Sequence, residues 1–458
     1  MSAREAPLLI SRICSAWRAI ALRTPSLWAS LHIPVEFILK RPEQRIQAIP
    51  HWLQRSGALP LSLSLEFPRK TTELSVEDLD AISILINYVA ESAGRWEKLV
   101  VSNLSEATVG LARAEAPLLQ SFEGAGPVSV LNRMDRLFGA PSLRTLIVRL
   151  EVDRPHTGQS FTPPFHQWDN LAHLTVNSDH TRVALKPAKV LTLLQQCPRL
   201  ASFHFRPNAA QDWDQYTGLK PIPLLHLESL ILIGPQTLDL RSVRRLLDTL
   251  DVPNLRQLHI PTTTSTGQNI RLEFGSLPAL QDLRIQLPSF TREMVLVTLG
   301  SLLNLTKLIV WTRGNASWAW DDDFAPLDPN SGATIGFESC SSADLVQLLT
   351  PSLNGGIVLC PKLQILEFDD CTSVTKETLE QFIWERIDLG VGFRRLAVVN
   401  FQQHSLFSPD ETETFRSRGV ELLWPLSPWG AEADDWSRVT PWTGLSEAYN
   451  WEHGSNIH

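Results

Sequence analysis

Leu143-Arg-Thr-Leu146-Ile-Val148 sets the reading of this chain, because its spacing keeps returning. It recurs as Leu171-Ala-His-Leu174-Thr-Val176, Leu200-Ala-Ser-Phe203-His-Phe205 and Leu227-Glu-Ser-Leu230-Ile-Leu232. Leu255-Arg-Gln-Leu258-His-Ile260, Leu280-Gln-Asp-Leu283-Arg-Ile285 and Leu305-Thr-Lys-Leu308-Ile-Val310 follow. After a gap come Leu363-Gln-Ile-Leu366-Glu-Phe368 and the looser Phe393-Arg-Arg-Leu396-Ala-Val398. Weaker copies precede the series at Trp96-Glu-Lys-Leu99-Val-Val101 and Leu119-Gln-Ser-Phe122. The last two apolar residues of each copy are two apart, which is strand spacing, so they face one way while their neighbours face the other.

From Trp96 to Leu305 the first residues lie 23 to 29 apart; the interval to Leu363 is 58, and the next is 30. Leucine-rich repeats have periods of roughly 20–29 residues. One such unit cannot bury its apolar face alone, whereas stacked units share a core and pair their strands in parallel. The expected fold class is therefore α/β, a leucine-rich-repeat solenoid (a horseshoe) with parallel strands on the concave face. The alternative is a set of independent strand–helix units. The interval of 58 implies one degenerate or looped-out repeat. Helical returns are legible at Val190-Leu191-Leu193-Leu194, Val243-Leu246-Leu247-Leu250 and Leu345-Val346-Leu348-Leu349. Prolines 117, 141, 198, 253, 278 and 361 recur just before the first Leu, where Pro ends a helix and starts an extended segment.

The copy at Leu363 continues through Cys371, Val374 and Thr375 to Leu379. It resembles the cysteine-containing leucine-rich-repeat subtype common in F-box proteins. At the other end, Leu9, Ile13, Trp17, Ile20 and Ala21 fall at helical spacing, with Arg12, Ser15 and Arg18 off that face. Thr24-Pro25 suits an N-cap and first helical position, with Leu27, Trp28 and Leu31 as the apolar side of a second short helix. Ile13-Cys14, Trp17-Arg18, Ile20-Ala21-Leu22 and Thr24-Pro25-Ser26-Leu27-Trp28 resemble the second half of fungal F-box-like domains. Trp52-Leu53-Arg55-Ser56-Gly57 and the alternating Leu61, Leu63 and Leu65 fit the same family.

An F-box opens with a Leu-Pro turn and a first helix, and neither precedes the matched stretch here, so an N-terminally truncated F-box is expected. The resemblance implies docking on a Skp-type adaptor of a cullin ubiquitin ligase through Leu9, Ile13, Trp17, Leu27 and Trp28. For Trp17 and Trp28 the alternative is packing against the first repeats. The expected domains are a partial F-box-like helical segment (1–34), a connecting region and N-terminal cap (35–95), the solenoid (96–423) and a Trp-rich C-terminal cap or tail (424–458).

The outward strand positions are the expected substrate-reading surface. They include Lys98, Ser121, Thr145, Arg149, His173, Thr175, Ser202, His204, Gln257, His259, Asp282, Arg284, Lys307, Ile365 and Glu367. Of these His173, Thr175, His204, His259, Arg284, Lys307 and Glu367 are the leading candidates. Their mixed charges select no target of single sign. The run Asp321-Asp322-Asp323 with Asp328, after Trp311, Trp318 and Trp320, reads as a solvated insertion, with a recognition loop as the other reading.

Composition sets the outer limits. At 458 residues and 43% hydrophobic, the chain can bury a core. A net charge of −8 gives no broad attraction to phosphate, so no nucleic acid is expected as a partner. No apolar run approaches the roughly 18 residues of a membrane helix, and the first residues lack signal-peptide order. The sequons at Asn103, Asn304 and Asn315 then read as chance. Five cysteines without a CxxC pair favour reduced thiols in the cytoplasm or nucleus. No nucleotide, zinc-protease or serine-hydrolase motif is present, so neither catalysis nor a cofactor is expected. His173, His204 and His259 come from different repeats and have no cysteine or carboxylate ligands beside them, so no metal is expected. The sequence thus points to the substrate-recognition subunit of a Skp–cullin–F-box ligase, with a repeat scaffold lacking ligase association as the alternative.

Overall fold

The computed structural model describes residues 7–68, 74–151, 161, 168–178, 185–207, 220–233, 238–260, 263–264, 277–287, 290–311, 340–368, 373–398 and 406–423. The chain divides into two compact units, one built on strands up to Thr264 and one on strands from Asp282 onward.

The first unit begins with α1 (Ile10–Ile13), α2 (Ser15–Arg23), β1 (Ser30–Pro34), α3 (Val35–Leu39), α4 (Pro42–Arg55), β2 (Leu61–Glu66), α5 (Val76–Glu91) and β3 (Trp96–Ser102). It continues with β4 (Ser121–Pro127), α6 (Val128–Leu131), α7 (Asp135–Phe138), β5 (Thr145–Glu151), β6 (His173–Ser178), α8 (Pro187–Gln195) and β7 (Ser202–Phe205). It ends with β8 (Ile222–Pro223), β9 (Ser229–Leu232), β10 (Leu238–Asp239), α9 (Leu240–Asp248), β11 (Leu250–Asp251), β12 (Gln257–His259) and β13 (Thr263–Thr264). Strands β1 to β7, then β9 and β12, form one parallel ladder in chain order. Two short parallel pairs, β8 with β11 and β10 with β13, stand apart from it.

The second unit holds β14 (Asp282–Gln286), α10 (Arg292–Gly300), β15 (Lys307–Trp311), α11 (Ser342–Leu349), β16 (Ile365–Phe368), α12 (Lys376–Asp388), β17 (Arg395–Val398), α13 (Pro409–Ser417) and β18 (Glu421–Leu423). Its five strands are again parallel and in chain order. Parallel strands joined by helical or irregular returns, one strand per repeat, make a leucine-rich-repeat solenoid.

The repeat residues do what their spacing dictates. Leu143, Leu146 and Val148 are buried, as are Leu171, Leu174 and Val176, and Leu363, Leu366 and Phe368. The recurring proline has a more specific role than ending a helix. In each repeat the N–H of the first Leu donates to the carbonyl three residues back: Leu143 to Ala140, Leu200 to Cys197, Leu255 to Val252, Leu280 to Leu277 and Leu363 to Cys360. Pro141, Pro198, Pro253, Pro278 and Pro361 therefore sit second in a β-turn, where the fixed φ of proline suits the geometry. The residue that opens the turn is buried, which is the place taken by Cys197 and Cys360.

Neighbouring repeats are joined just ahead of the strand. The carbonyl of Arg144 accepts from the N–H groups of Ala172 and His173, and that of Ala172 from Ala201 and Ser202. In the second unit the carbonyl of Gln281 accepts from Thr306 and Lys307, and that of Thr306 from Gln364 and Ile365. An asparagine preceding the first Leu adds a side-chain link to the previous turn. Asn170 Nδ2 donates to the Pro141 carbonyl at 3.0 Å, Asn254 to Leu225 at 2.7 Å and Asn304 to Pro278 at 2.8 Å. Where Arg199 or Lys362 takes that position, it donates to the preceding asparagine Oδ1, at 3.4 and 2.7 Å.

Several expectations change. The parallel ladder starts at Ser30, so β1 and β2 are strands of the same sheet; β1 carries the six-residue spacing as Trp28-Ala-Ser-Leu31-His-Ile33, with all three apolar residues buried, whereas β2 has Pro60 in the leading place. Leu31 lies in β1, not in a second helix. Thr24 does not cap the 3-10 turn Pro25–Trp28; its hydroxyl donates back to the Ile20 carbonyl at 2.8 Å. Across the 58-residue interval β15 pairs directly with β16, Lys307 opposite Ile365, and no strand lies between them in the ladder among the described residues. In the Leu363 repeat Thr375 caps α12, accepting from the Thr378 N–H, and Leu379 is fully buried. Cys371, the acidic run 321–323, Asp328, Trp318, Trp320 and the segment 424–458 lie outside the described residues.

Candidate protein-binding surfaces

The head is anchored by one tryptophan and exposes another. Trp28 is fully buried. Its Nε1 donates to the Ala21 carbonyl at 2.7 Å, and Trp52 Nε1 donates to the Trp28 carbonyl at 2.9 Å. The two indoles meet edge to face at 4.8 Å, and the Arg55 guanidinium lies 4.6 Å from the Trp28 ring. Trp28 is thus a core residue of the first unit, and Leu27 beside it is half-buried.

The other three predicted docking residues pack against little. The backbone extends at Cys14, with φ −158°, which splits the expected single helix into α1 and α2. Arg18 Nε bridges the break to the Ser11 carbonyl at 2.8 Å. Only Ala21 of α2 is buried. Leu9, Ile13, Trp17 and Ile20 are 47%, 62%, 48% and 54% exposed, so these apolar side chains lie open to solvent, shared between two short helices and not on one.

The outward strand positions of the first unit fall into rows. Ser62, Lys98, Ser121, Thr145, His173, Ser202, Ser229 and Gln257 are successive register partners. A second row runs Glu123, Ile147, Thr175, His204, Ile231 and His259. His173 therefore faces Ser202 while His204 faces Thr175, and Ile231 separates His204 from His259. The three histidines do not converge, and no group of three or more metal-ligating side chains occurs among the described residues. Ser202 Oγ and His204 Nε2 are 2.9 Å apart. Burial first, and His173 second, push the His204 imidazole down to about 4, so this ring is neutral at physiological pH. His259 is buried, whereas His173 and the Glu123–Arg149 pair, 4.0 Å apart, keep substantial exposure.

In the second unit the charged candidates are already engaged. Arg284 lies 3.5 Å from Asp282, and Lys307 lies 4.0 Å from Glu367. These side chains are 15–20% exposed, against 44% for Arg149 and 33% for Glu123 in the first unit. Ile309 and Trp311, also on β15, are buried. A partner reaching Arg284 or Lys307 meets pairs that are neutral overall.

The remaining candidate chemistry is structural. Burial pushes the Cys197, Cys340 and Cys360 thiols up to about 12, which suits inert core residues. Asn103 Nδ2 donates to the Phe67 carbonyl at 2.7 Å and Asn304 to Pro278, so both sequon side chains serve the fold. Asn315 lies outside the described residues. No helix among the described residues is long and apolar enough to cross a membrane.

No protein-family model and no curated protein matches the chain. Among solved structures, a leucine-rich-repeat protein of Leptospira interrogans is 16% identical, with a TM-score of 0.32, over 88% of this chain and 97% of that one.

Proposed function

We propose that this chain is a protein-binding subunit, the substrate-recognition component of a Skp–cullin–F-box ubiquitin ligase. The observation that carries the reading is the uncovered apolar face of α1 and α2. Leu9, Ile13, Trp17 and Ile20 stand exposed on the segment that resembles an F-box-like domain. An amphipathic helix pair without a core beneath it gains most of its stability from what it docks against. In this reading Leu9, Ile13 and Trp17 touch the adaptor. Leu27 and Trp28 act from behind by holding the hairpin in place. His173, Thr175, His204, His259, Arg284, Lys307 and Glu367 belong to the substrate side.

A second reading is a repeat scaffold without ligase association. The burial of Trp28 favours it, because packing alone then explains the Thr24–Trp28 part of the resemblance.

A pull-down of the full chain with a Skp-type adaptor separates the two. The ligase reading expects capture by the parent chain and at least tenfold weaker capture by Ile13→Ala and Trp17→Ala, about 1.4 kcal/mol or more. A folded parent chain that captures no adaptor leaves the scaffold reading.

A further inference from the structure

Two surfaces of the first unit, α1–α2 and α5, expose apolar side chains amid charges of opposite sign. The stretch 7–35 contains Arg12, Arg18 and Arg23 and no Asp or Glu, and its exposed apolar residues are Leu9, Ile13, Trp17, Ile20 and Leu22. Helix α5 contains Glu77, Asp78, Asp80 and Glu91 and no Lys or Arg. It buries Ala81, Ile82, Leu85, Ile86 and Val89, yet Val76, Leu79 and Ile84 on its outer side are 71%, 41% and 49% exposed. Glu77, Asp80 and Glu91 are exposed alongside them.

We infer that these two surfaces pair between two copies of this chain, α1–α2 of one against α5 of the other. Pairing α1–α2 with a second α1–α2 would set three arginines against three, and pairing α5 with α5 would set acid against acid. The cross pairing joins apolar residues and brings opposite charges together at their margins. It can be made twice in a two-fold dimer, since each copy carries both surfaces. Two such contacts are what a dimer built from short helices needs to approach the roughly 800 Å² per partner of a stable interface. An anionic lipid surface would satisfy α2 alone and leave the apolar residues of α5 uncovered. The inference is independent of the identity of any adaptor. It adds a consequence: self-association hides the α2 face, so dimer and adaptor complex exclude each other.

Sedimentation velocity on the full chain over a wide concentration range tests this. The parent chain is expected to dimerise, more weakly as salt rises, because the marginal charges are solvent-facing. Replacing Arg12, Arg18 and Arg23 together by Glu is expected to weaken the dimer at least tenfold. Adding Glu77→Arg, Asp80→Arg and Glu91→Arg to that variant is expected to restore it. All six side chains lie at the surface, and far-UV circular dichroism checks that the variants fold. As a second reading, a photo-crosslinker on Cys14, which is exposed between Ile13 and Trp17, should join one copy to residues 76–91 of another. A parent chain that is monomeric throughout would overturn the inference. So would a dimer indifferent to the arginine reversal, or one that the compensating reversal does not restore.

Discussion

Replacing Trp28 by Ala should unfold the first unit far more readily than replacing Trp17 by Ala, although both lie in the same short head. Trp28 is fully buried, stacked edge to face on Trp52 at 4.8 Å, and donates its indole N–H to the Ala21 carbonyl at 2.7 Å. Truncating a buried tryptophan to alanine costs about 3–5 kcal/mol through lost transfer energy and the cavity left behind. The lost hydrogen bond contributes roughly 1 kcal/mol within that range. Trp17 is 48% exposed, so its removal costs about 0.5 kcal/mol or less. Urea unfolding followed by far-UV circular dichroism measures both. With a loss of ~4 kcal/mol and an m-value of about 2–3 kcal/mol per molar, Trp28→Ala lowers the first unit's midpoint by about 1.5 M. Trp17→Ala leaves it nearly in place. Equal shifts for the two, or a larger one for Trp17, would refute this division of the head into anchor and exposed face.

Three further predictions concern stability. Arg386 is fully buried on α12 and its guanidinium donates to the carbonyls of Leu349, Leu359 and Cys360 at 2.7, 2.8 and 3.0 Å, so Arg386→Met should destabilise the second unit by about 2–4 kcal/mol in urea melts, with Arg386→Lys intermediate. His204 is pushed from 6.5 down to about 4, so the native state binds fewer protons than the unfolded chain between those values. Its contribution is then fully present above the unfolded pKa and is lost as pH falls toward 4, by roughly 3 kcal/mol, and His204→Gln should flatten that slope in melts run across the window. A Cβ on Gly126 would stand 2.5 Å from Leu104 Cβ and 2.8 Å from its carbonyl oxygen, so Gly126→Ala should cost about 1–3 kcal/mol in thermal or urea unfolding.

The repeat array was legible because its strands obey a fixed spacing and its core positions tolerate only apolar residues. The returns at 190–194 and 345–349 were legible for the same reason, and their apolar residues are buried on α8 and α11. Strand β1 carries the spacing as Trp28-Ala-Ser-Leu31-His-Ile33, masked because Thr24–Trp28 reads as the start of a helix, whereas β2 has Pro60 in the leading place, although the alternation Leu61, Leu63, Leu65 is a strand signal in its own right. The asparagine links were written in the sequence as Asn before the first Leu at 170, 254 and 304, but their role depends on a carbonyl one repeat away. The candidate contact surface was less legible. Outward facing follows from strand alternation, and so does the nearness of Arg284 to Asp282 two residues back on β14, whereas the pairing of Lys307 with Glu367 follows from a neighbouring strand that only folding brings alongside. The open face of α2 was equally hidden, since helical spacing predicts an apolar face but not whether a core lies beneath it.

The candidate residues on the strands owe their positions to the parallel ladder, and the ladder makes its boldest claim where Lys307 stands opposite Ile365 across a 58-residue repeat interval. Adjacent strands lie ~4.8 Å apart, within the span that a disulfide bridges. In a Cys14→Ser, Cys371→Ser background, Lys307→Cys with Ile365→Cys should form an intramolecular disulfide under mild oxidation, seen as a shifted band on non-reducing gels and as a linked peptide by mass spectrometry. A folded double variant in which both thiols stay free would contradict the direct pairing, and with it this arrangement of the repeats.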